Sequence, residues 1–537
     1  MALFEIKNLS FSYPNSSKII DDISFEIEEG DFTVLCGPTG SGKTTLLRLL
    51  KPELSPLGNT EGEVYFNGEL VSNLSLEKSA KIGFVQQSVE QQIVTDKVWH
   101  EVAFGMENLN FSQSLMRRRV AEIMSYFGID NLFDCNTSEL SGGQKQIIAL
   151  ASVIAMNPKA IIFDEPTSQL DPVSASEFLT TIKKLNEELG ITVIITEHRL
   201  ENVIPLCNKI IFLDSGKITA RGKTRETIEK IIDNDTFLNY MPGSVKIYSL
   251  LKKEEECPLN VTEGKSYLKN HPLPDNGEYI PAHEEISKEP VVKLKDVCFR
   301  YDKNSNDVLK DTCLTAYKDE ILCILGANGS GKTTMLYSIS GLITPYAGKI
   351  EILGKNIKKY KNNELYDNCI AMLPQNVETV FLHNTLKEEL DEVNTDFSII
   401  PYDLSYAADR HPYDLSGGEQ QLAALGKILA SKPQILLLDE PTKGLDSNAK
   451  FLIADVLKKL KYKGITVIVV THDVEFSAMC ADRVAMFFRG NITCIDTPHK
   501  FFSENLFYTT SINRITKDFC ENLVTFEDLK KYIGGTV

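Results

Sequence analysis

The octapeptide "GPTGSGKT" at residues 37–44 returns at residues 326–333 as "GANGSGKT", with only two substitutions. Both copies keep the spacing G-x-x-x-x-G-K-[ST], and each follows a short apolar run, "FTVLC" or "ILCIL". In that setting the glycines let backbone N–H groups converge on phosphate oxygens at a helix N-terminus, where the helix dipole favours negative charge. A strand–loop–helix unit of this kind needs a sheet covered by helices, and here it is written twice. The surroundings repeat in the same order. "FEIKNLSFSY" is echoed by "VKLKDVCFRY", "AIIFDEPTSQLDP" by "ILLLDEPTKGLDS", and "VIITEH" by "VIVVTH". The offset is 289 at the lysines (332 − 43), 275 at the first acid of the DE pair (439 − 164) and 274 at the histidines (472 − 198). The second copy is shorter between its glutamine and its SGG: 41 positions (416 − 375) against 54 (141 − 87).

A duplicated unit in 537 residues implies at least two domains. Apolar β-branched runs alternate with amphipathic stretches, so each unit is expected to be an α/β domain. Its core would be a mainly parallel sheet, with a small antiparallel sheet near its start and a helical subdomain between glutamine and SGG. The expected divisions are a first nucleotide-binding domain at 1–230, a C-terminal extension at 231–272, a linker at 273–290, a second domain at 291–500 and its extension at 501–537. The two extensions share the weak echo "NVTEGKSYL" and "LVTFEDLKKYI"; the linker is rich in Pro and Glu and lacks periodicity.

A net charge of −17 and a pI near 5.1 argue against a broad nucleic-acid or acidic-lipid footprint, which needs a basic surface. No apolar run approaches the roughly 18 residues that span a bilayer, and the N-terminus lacks the pattern of a signal peptide. The chain is therefore expected to be cytosolic, with any membrane contact made through a partner. Eleven cysteines at irregular spacing, with no CxxC pair, read as reduced thiols rather than disulfides or zinc ligands.

The chemistry concentrates at matched positions. Gly37, Pro38, Thr39, Gly40, Ser41, Gly42, Lys43, Thr44 and Thr45 form the first phosphate loop. Gly326, Ala327, Asn328, Gly329, Ser330, Gly331, Lys332, Thr333 and Thr334 form the second. Lys43 and Lys332 reach the β- and γ-phosphates, while the Thr44 and Thr333 hydroxyls bind magnesium. "IIFDE" and "LLLDE" end apolar strands in paired acids, which packing alone does not explain. Asp164 and Asp439 are expected at the magnesium, and Glu165 and Glu440 at the attacking water. His198 and His472 end the next strand, within reach of the γ-phosphate. Gln87 and Gln375 are expected to sense that phosphate and to share the metal. Tyr13 and Tyr301 precede their lysines by 30 and 31 residues and suit stacking on adenine, with packing in the antiparallel sheet as the alternative. Trp99 reads equally as core or as a partner contact.

Taken together, these residues make both units resemble ATP-binding-cassette (ABC) ATPases of the P-loop NTPase class, a likeness that covers nearly the whole chain. It implies an enzyme that hydrolyses ATP with Mg2+. It also implies a role for Ser141, Gly142, Gly143 and Gln144, and for Ser416, Gly417, Gly418 and Glu419. In that family the SGG signature opens a helix that caps the ATP of the other unit, so the two units pair within the chain and form two composite sites. The finer resemblance, through "VEQQIVTDKVWHEVAFGMENL", "TEHRLENV" and "THDVEFSAMCADRVAMFFRGNI", is to ATPases of energy-coupling-factor importers of vitamins and transition-metal ions. It implies a transmembrane coupling protein and a membrane-embedded substrate-binding subunit as partners, no nucleic acid, and a place at the cytoplasmic face of the membrane. Residues 87–109 and 375–390, with Ile93 and Phe381, are expected to dock on the coupling protein, with core packing as the alternative. The rivals are a twin-cassette translation factor acting on ribosomes, which needs a long basic linker, and a sugar importer, in which one site is usually degraded.

Overall fold

A computed structural model describes residues 2–14, 16–251, 255–274, 276, 279, 281, 287–361, 363–399 and 402–534. Most of the Pro- and Glu-rich stretch 275–286 lies outside them. The chain divides into two compact units, Met1–Pro242 and Gly243–Val537.

In the first unit the order across the main sheet is Lys217–Lys223, Lys209–Asp214, Phe32–Cys36, Thr192–Thr196, Ala160–Asp164 and Ile82–Val85. All neighbours are parallel except the first, which is an antiparallel edge strand. Every residue of Phe32–Cys36, Ala160–Asp164 and Thr192–Thr196 is buried, as continuous apolar strands require when both faces are covered. Phe32–Cys36 lies in the middle, and the chain leaves it to build strands on either side. The loops at its C-terminal end therefore part and leave a crevice, the usual ligand position in such sheets. A four-stranded antiparallel sheet (Lys18–Glu28, Ala2–Ser12, Asn59–Phe66, Glu69–Leu70) shares a core with the phosphate-loop helix through Phe4, Ile20, Leu46 and Leu47. Helices Val98–Asn108, Gln113–Tyr126 and Gly142–Ala155 form the helical subdomain around Val102, Met106, Met124 and Ile148.

The second unit repeats this plan. Its main sheet runs Ile370–Leu373, Ile435–Asp439, Thr466–Thr471, Ile321–Leu325, Arg483–Phe488, Asn491–Asp496, beside the antiparallel set built on Pro290–Phe299. Its helical subdomain keeps Leu386–Glu392 and Gly417–Leu429 but replaces the long middle helix with 3-10 turns, among them Phe397–Ile399 and Ser405–Ala407. Thirteen fewer residues (54 − 41) separate glutamine from signature there, too few for the extra helix.

The extensions are arranged differently from the sequence expectation. Helices Gly243–Leu251 and Val261–Asn270, read as a tail of the first domain, belong to the second compact unit. There they share a core with Ser511–Thr516 and Phe526–Gly534 through Ile247, Leu268, Ile515 and Leu529. Helices of six to ten residues are marginal alone and need tertiary packing; the two echoed segments supply it to each other. Nor is 273–290 simply a spacer. Tyr279 is buried in the same core, its hydroxyl donates to Asp528 Oδ1 at 2.9 Å, and its carbonyl accepts from Asn522. Composition averages over such a stretch and hides one anchoring aromatic.

Asp528 also faces His499 Nε2 at 3.1 Å and accepts from the Thr525 amide. Burial opposes its charge, but the bond and charge of His499 win and hold its carboxyl at about 2, below the ordinary 3.8. A depressed carboxylate contributes stability that is complete above its unfolded pKa and is lost as the pH falls through the folded one. Asp528→Asn should therefore cost about 2 kcal/mol at pH 7 and flatten the loss of stability between about pH 4 and 2. Denaturant melts at stepped pH check this; an unchanged acid limb would refute it.

Candidate functional site

Both phosphate loops leave the C-terminal end of the central strand of their sheet. Gly42 and Gly331 cap the helices that follow with φ of +98° and +109°, a left-handed geometry that side chains resist. At Gly37 a Cβ would lie 1.9 Å from the Leu213 carbonyl oxygen, so only glycine fits. The buried Lys43 ammonium donates to the carbonyls of Gly37 and Pro38, both at 2.8 Å; Lys332 does the same to Gly326 at 2.8 Å and Ala327 at 2.9 Å. Thr39, Gly40, Ala327, Asn328 and Gly329 form the exposed rim. The buried hydroxyls of Ser41 and Ser330 have no hydrogen-bond partner among the described residues, as expected of groups that face a phosphate.

Beneath each loop, threonine and aspartate meet. Thr44 Oγ1 donates to Asp164 Oδ1 and Thr333 Oγ1 to Asp439 Oδ1, both at 3.1 Å. Asp439 Oδ2 is buried with no partner among the described residues, and burial pushes its carboxyl up to about 6. Burial and the neighbouring Glu165 likewise raise Asp164. A hydroxyl beside a buried carboxylate is a donor set for Mg2+, which takes oxygen ligands and keeps several waters. Thr44, Asp164 and Gln87 would hold it in the first unit, and Thr333, Asp439 and Gln375 in the second. When bound, the ion neutralises charge on the phosphates.

Glu165 and Glu440 both sit in the left-handed region, with φ of +47° and +50°. Such geometry costs on the order of 1–3 kcal/mol and persists only where the surroundings enforce it. The surroundings differ between the units. Glu165 meets His198 Nε2 at 2.7 Å and accepts from Gln87 Nε2 at 2.7 Å. Glu440 is held on one oxygen by His472 Nδ1 at 2.8 Å and by Thr471 Oγ1 at 3.2 Å, while Lys332 Nζ stands 4.0 Å from the other. Burial would raise the Glu440 carboxyl, but the bond and charge of His472, with Lys332, bring it below its ordinary value. Gln375 is exposed.

Ser141 caps helix Gly142–Ala155 with Gln144 tied back to it; Ser416 and Glu419 do the same for Gly417–Leu429. Gln144 and Glu419 are thus reciprocal capping partners in their own helices. Tyr13 Oη lies 3.4 Å from Thr45 Oγ1 and Tyr301 Oη 3.1 Å from Thr334 Oγ1, so both rings stand beside their loops. Tyr301 is 61% exposed.

The expected docking loops need one correction. Phe381 is buried in the core of its unit and Ile93 is half-buried; the residues that protrude are their neighbours Leu382, 73% exposed, and Val94, 62% exposed. The loop geometry comes from two glutamates the sequence reading passed over. Buried Glu101 accepts the amides of Val94 and Thr95, and buried Glu389 those of Leu382 and His383. Each stands 14 residues after its glutamine (101 − 87, 389 − 375), a signal that comparison of the repeats contains. His383, Glu389 and Glu392 are spaced closely enough for a metal, but the Lys427 ammonium already lies against both carboxylates, at 2.5 and 2.8 Å. Trp99 is 38% exposed and its ring stacks on those of His100 and Phe133, the latter 40% exposed, outside the core of the helical subdomain.

The family model described as "ABC transporter" matches residues 20–168 and 309–443. A Bacillus thuringiensis subsp. konkukian protein with the provisional name ABC transporter ATP-binding protein is 37% identical over 540 aligned residues, covering 98% of this chain and 97% of its own. A Bacillus subtilis protein provisionally named HMP/thiamine import ATP-binding protein YkoD is 30% identical over 525 residues, covering 94% and 93%. Among solved structures, the archaeal ribosome recycling factor aABCE1 shares the fold over 98% of both chains, with a TM-score of 0.58 and 20% identity.

Proposed function

From the premise that the chain belongs to the ABC transporter family and is an ATPase using ATP and Mg2+, we propose that it powers an importer of the energy-coupling-factor type. Its cargo would be a vitamin or a transition-metal ion. Separate membrane subunits, a coupling protein and a substrate-binding component, would carry the cargo, with this chain at the cytoplasmic face. The observation that carries this reading is likeness over almost the full length to a relative named for HMP/thiamine import, joined to two complete sets of lysine, aspartate, glutamate and histidine. No helix among the described residues is long and apolar enough to cross a membrane. The ribosome-recycling likeness concerns the fold alone.

The protruding Val94 and Leu382 suit contact with the coupling protein. Val94→Asp and Leu382→Asp are expected to abolish co-purification of membrane proteins while leaving ATP affinity within about twofold of the parent. Co-purification from native membranes, with proteomic identification of what is retained, tests both variants and the importer reading. Retention of ribosomal proteins in place of membrane proteins would overturn that reading.

Gly142 and Gly143 would act on the nucleotide of the second phosphate loop, and Gly417 and Gly418 on that of the first. Within its own cassette a Cβ at Gly143 meets nothing nearer than 3.9 Å. Gly143→Val is therefore expected to leave folding intact and to lower hydrolysis about tenfold, first at the Lys332 site. Labelled-nucleotide trapping resolved by cassette checks it; damage confined to the Lys43 site would exclude this arrangement.

A further inference from the structure

Beside the catalytic carboxylates the repeats part at two adjacent positions, Thr196 against Val470 and Glu197 against Thr471. The second cassette reads Thr471 before its histidine; the first reads Glu197. In the second cassette the Thr471 hydroxyl bonds the catalytic carboxylate directly, through Glu440 Oε2. In the first, the side chain turns elsewhere. Glu197 is 4% exposed, and its Oε1 accepts from the Thr167 amide at 2.9 Å, two residues beyond Glu165.

Three consecutive residues at the end of strand Thr192–Thr196 thereby hold the turn around Glu165 at three points. Thr196 accepts the Glu165 amide through both its hydroxyl, at 3.0 Å, and its carbonyl, at 3.2 Å. Glu197 takes the Thr167 amide, and His198 Nε2 meets Glu165 Oε1 at 2.7 Å. Glu165 needs such support because its φ of +47° is one a glutamate resists. Without Glu197 the Thr167 side of the turn would lose an anchor inside the protein, where an unpaired amide is costly. The carboxylate is itself kept there at a cost: burial pushes Glu197 up to about 7, the nearby Glu165 adding to the effect and Thr167 and His198 opposing it.

We propose that Glu197 is a positioning residue for ATP hydrolysis in the first cassette: it holds the Glu165–Thr167 turn so that the Glu165 carboxylate faces the reacting phosphate, a task the second cassette performs through Thr471. The two cassettes then reach the same carboxylate pose by different means. One anchors the backbone after the glutamate; the other bonds the carboxylate itself.

The test compares E197A, E197T and E197Q in the full chain by steady-state ATPase and by titration with a fluorescent ATP analogue. E197Q keeps an acceptor oxygen of the same reach, whereas alanine removes it and threonine is too short to take the Thr167 amide. The expected result is a roughly five- to tenfold lower kcat in E197A and E197T, with KM and nucleotide affinity within about twofold, and recovery to near the parent rate in E197Q. E197T carries the residue that the second cassette folds with, so it serves if E197A does not fold. A kcat within twofold of the parent in E197T, an equal loss in E197Q and E197T, or a loss that appears in nucleotide affinity instead of kcat would each overturn the proposal.

Discussion

Glu440→Gln is expected to leave ATP bound in the second cassette and to lower steady-state phosphate release about 100-fold or more, the low end of what a positioned general base contributes. The substitution preserves shape. An amide oxygen can still accept from Thr471 and from the His472 backbone, which bond the carboxylate at 3.2 and 3.3 Å, so the turn should hold. It cannot take a proton from water. The environment supports a base at neutral pH, because His472 and Lys332 keep Glu440 ionised in spite of its burial. Glu165→Gln should act in the same sense in the first cassette, where Gln87 and His198 hold the carboxylate. Phosphate release, together with nucleotide retained after rapid desalting, measures both effects. Turnover unchanged by Glu440→Gln would make the second cassette regulatory.

Lys332→Ala should weaken ATP binding to its cassette about 100-fold. The ammonium is buried and held by two loop carbonyls, so it is pre-placed where phosphate oxygens would compete for it. Each bond to a charged group contributes roughly 1.5–3 kcal/mol, and losing even two of them accounts for that factor. Lys43→Ala should do the same in the first cassette while sparing the second, which calorimetric titration would show as one remaining site in each single variant. Two sites of parental affinity in Lys43→Ala would remove the lysine from the binding role assigned to it.

What the sequence made legible follows from how narrowly chemistry restricts a position. Few side chains can do what is proposed for Lys43, Asp164, Glu165 or His198; the last three stand at or just beyond the end of an apolar strand and Lys43 opens the helix that follows one, so pattern and spacing locate them. Buried strands such as Phe32–Cys36 and Ala160–Asp164 were equally readable, since an all-apolar run fits only a sheet covered on both faces. Support from a distance was not readable. Glu101 and Glu389 lie within helical stretches, where a carboxylate ordinarily faces water, and nothing local says that they turn inward to hold loop amides. Phe381 stands in a loop beside Leu382, and nothing in the sequence says which of the two adjacent apolar side chains tertiary packing buries; it takes Phe381 and leaves Leu382 outside. Residues 243–272 were attached to the domain they follow, because the helices they pack against come some 240 positions later.

That last grouping decides where the molecule can be cut. A gene fragment ending at 272, the natural choice from composition, would carry Ile247, Tyr267 and Leu268 away from Ile512, Ile515 and Leu529 and leave two short amphipathic helices with their apolar sides in water. A fragment ending near Pro242 would keep the first cassette's own cores whole and leave the echoed helices, with Tyr279, in the half where their partners lie. For co-expression of the two halves, the productive junction is therefore the bond between Pro242 and Gly243, some thirty residues before the Pro-rich stretch that looks like a hinge.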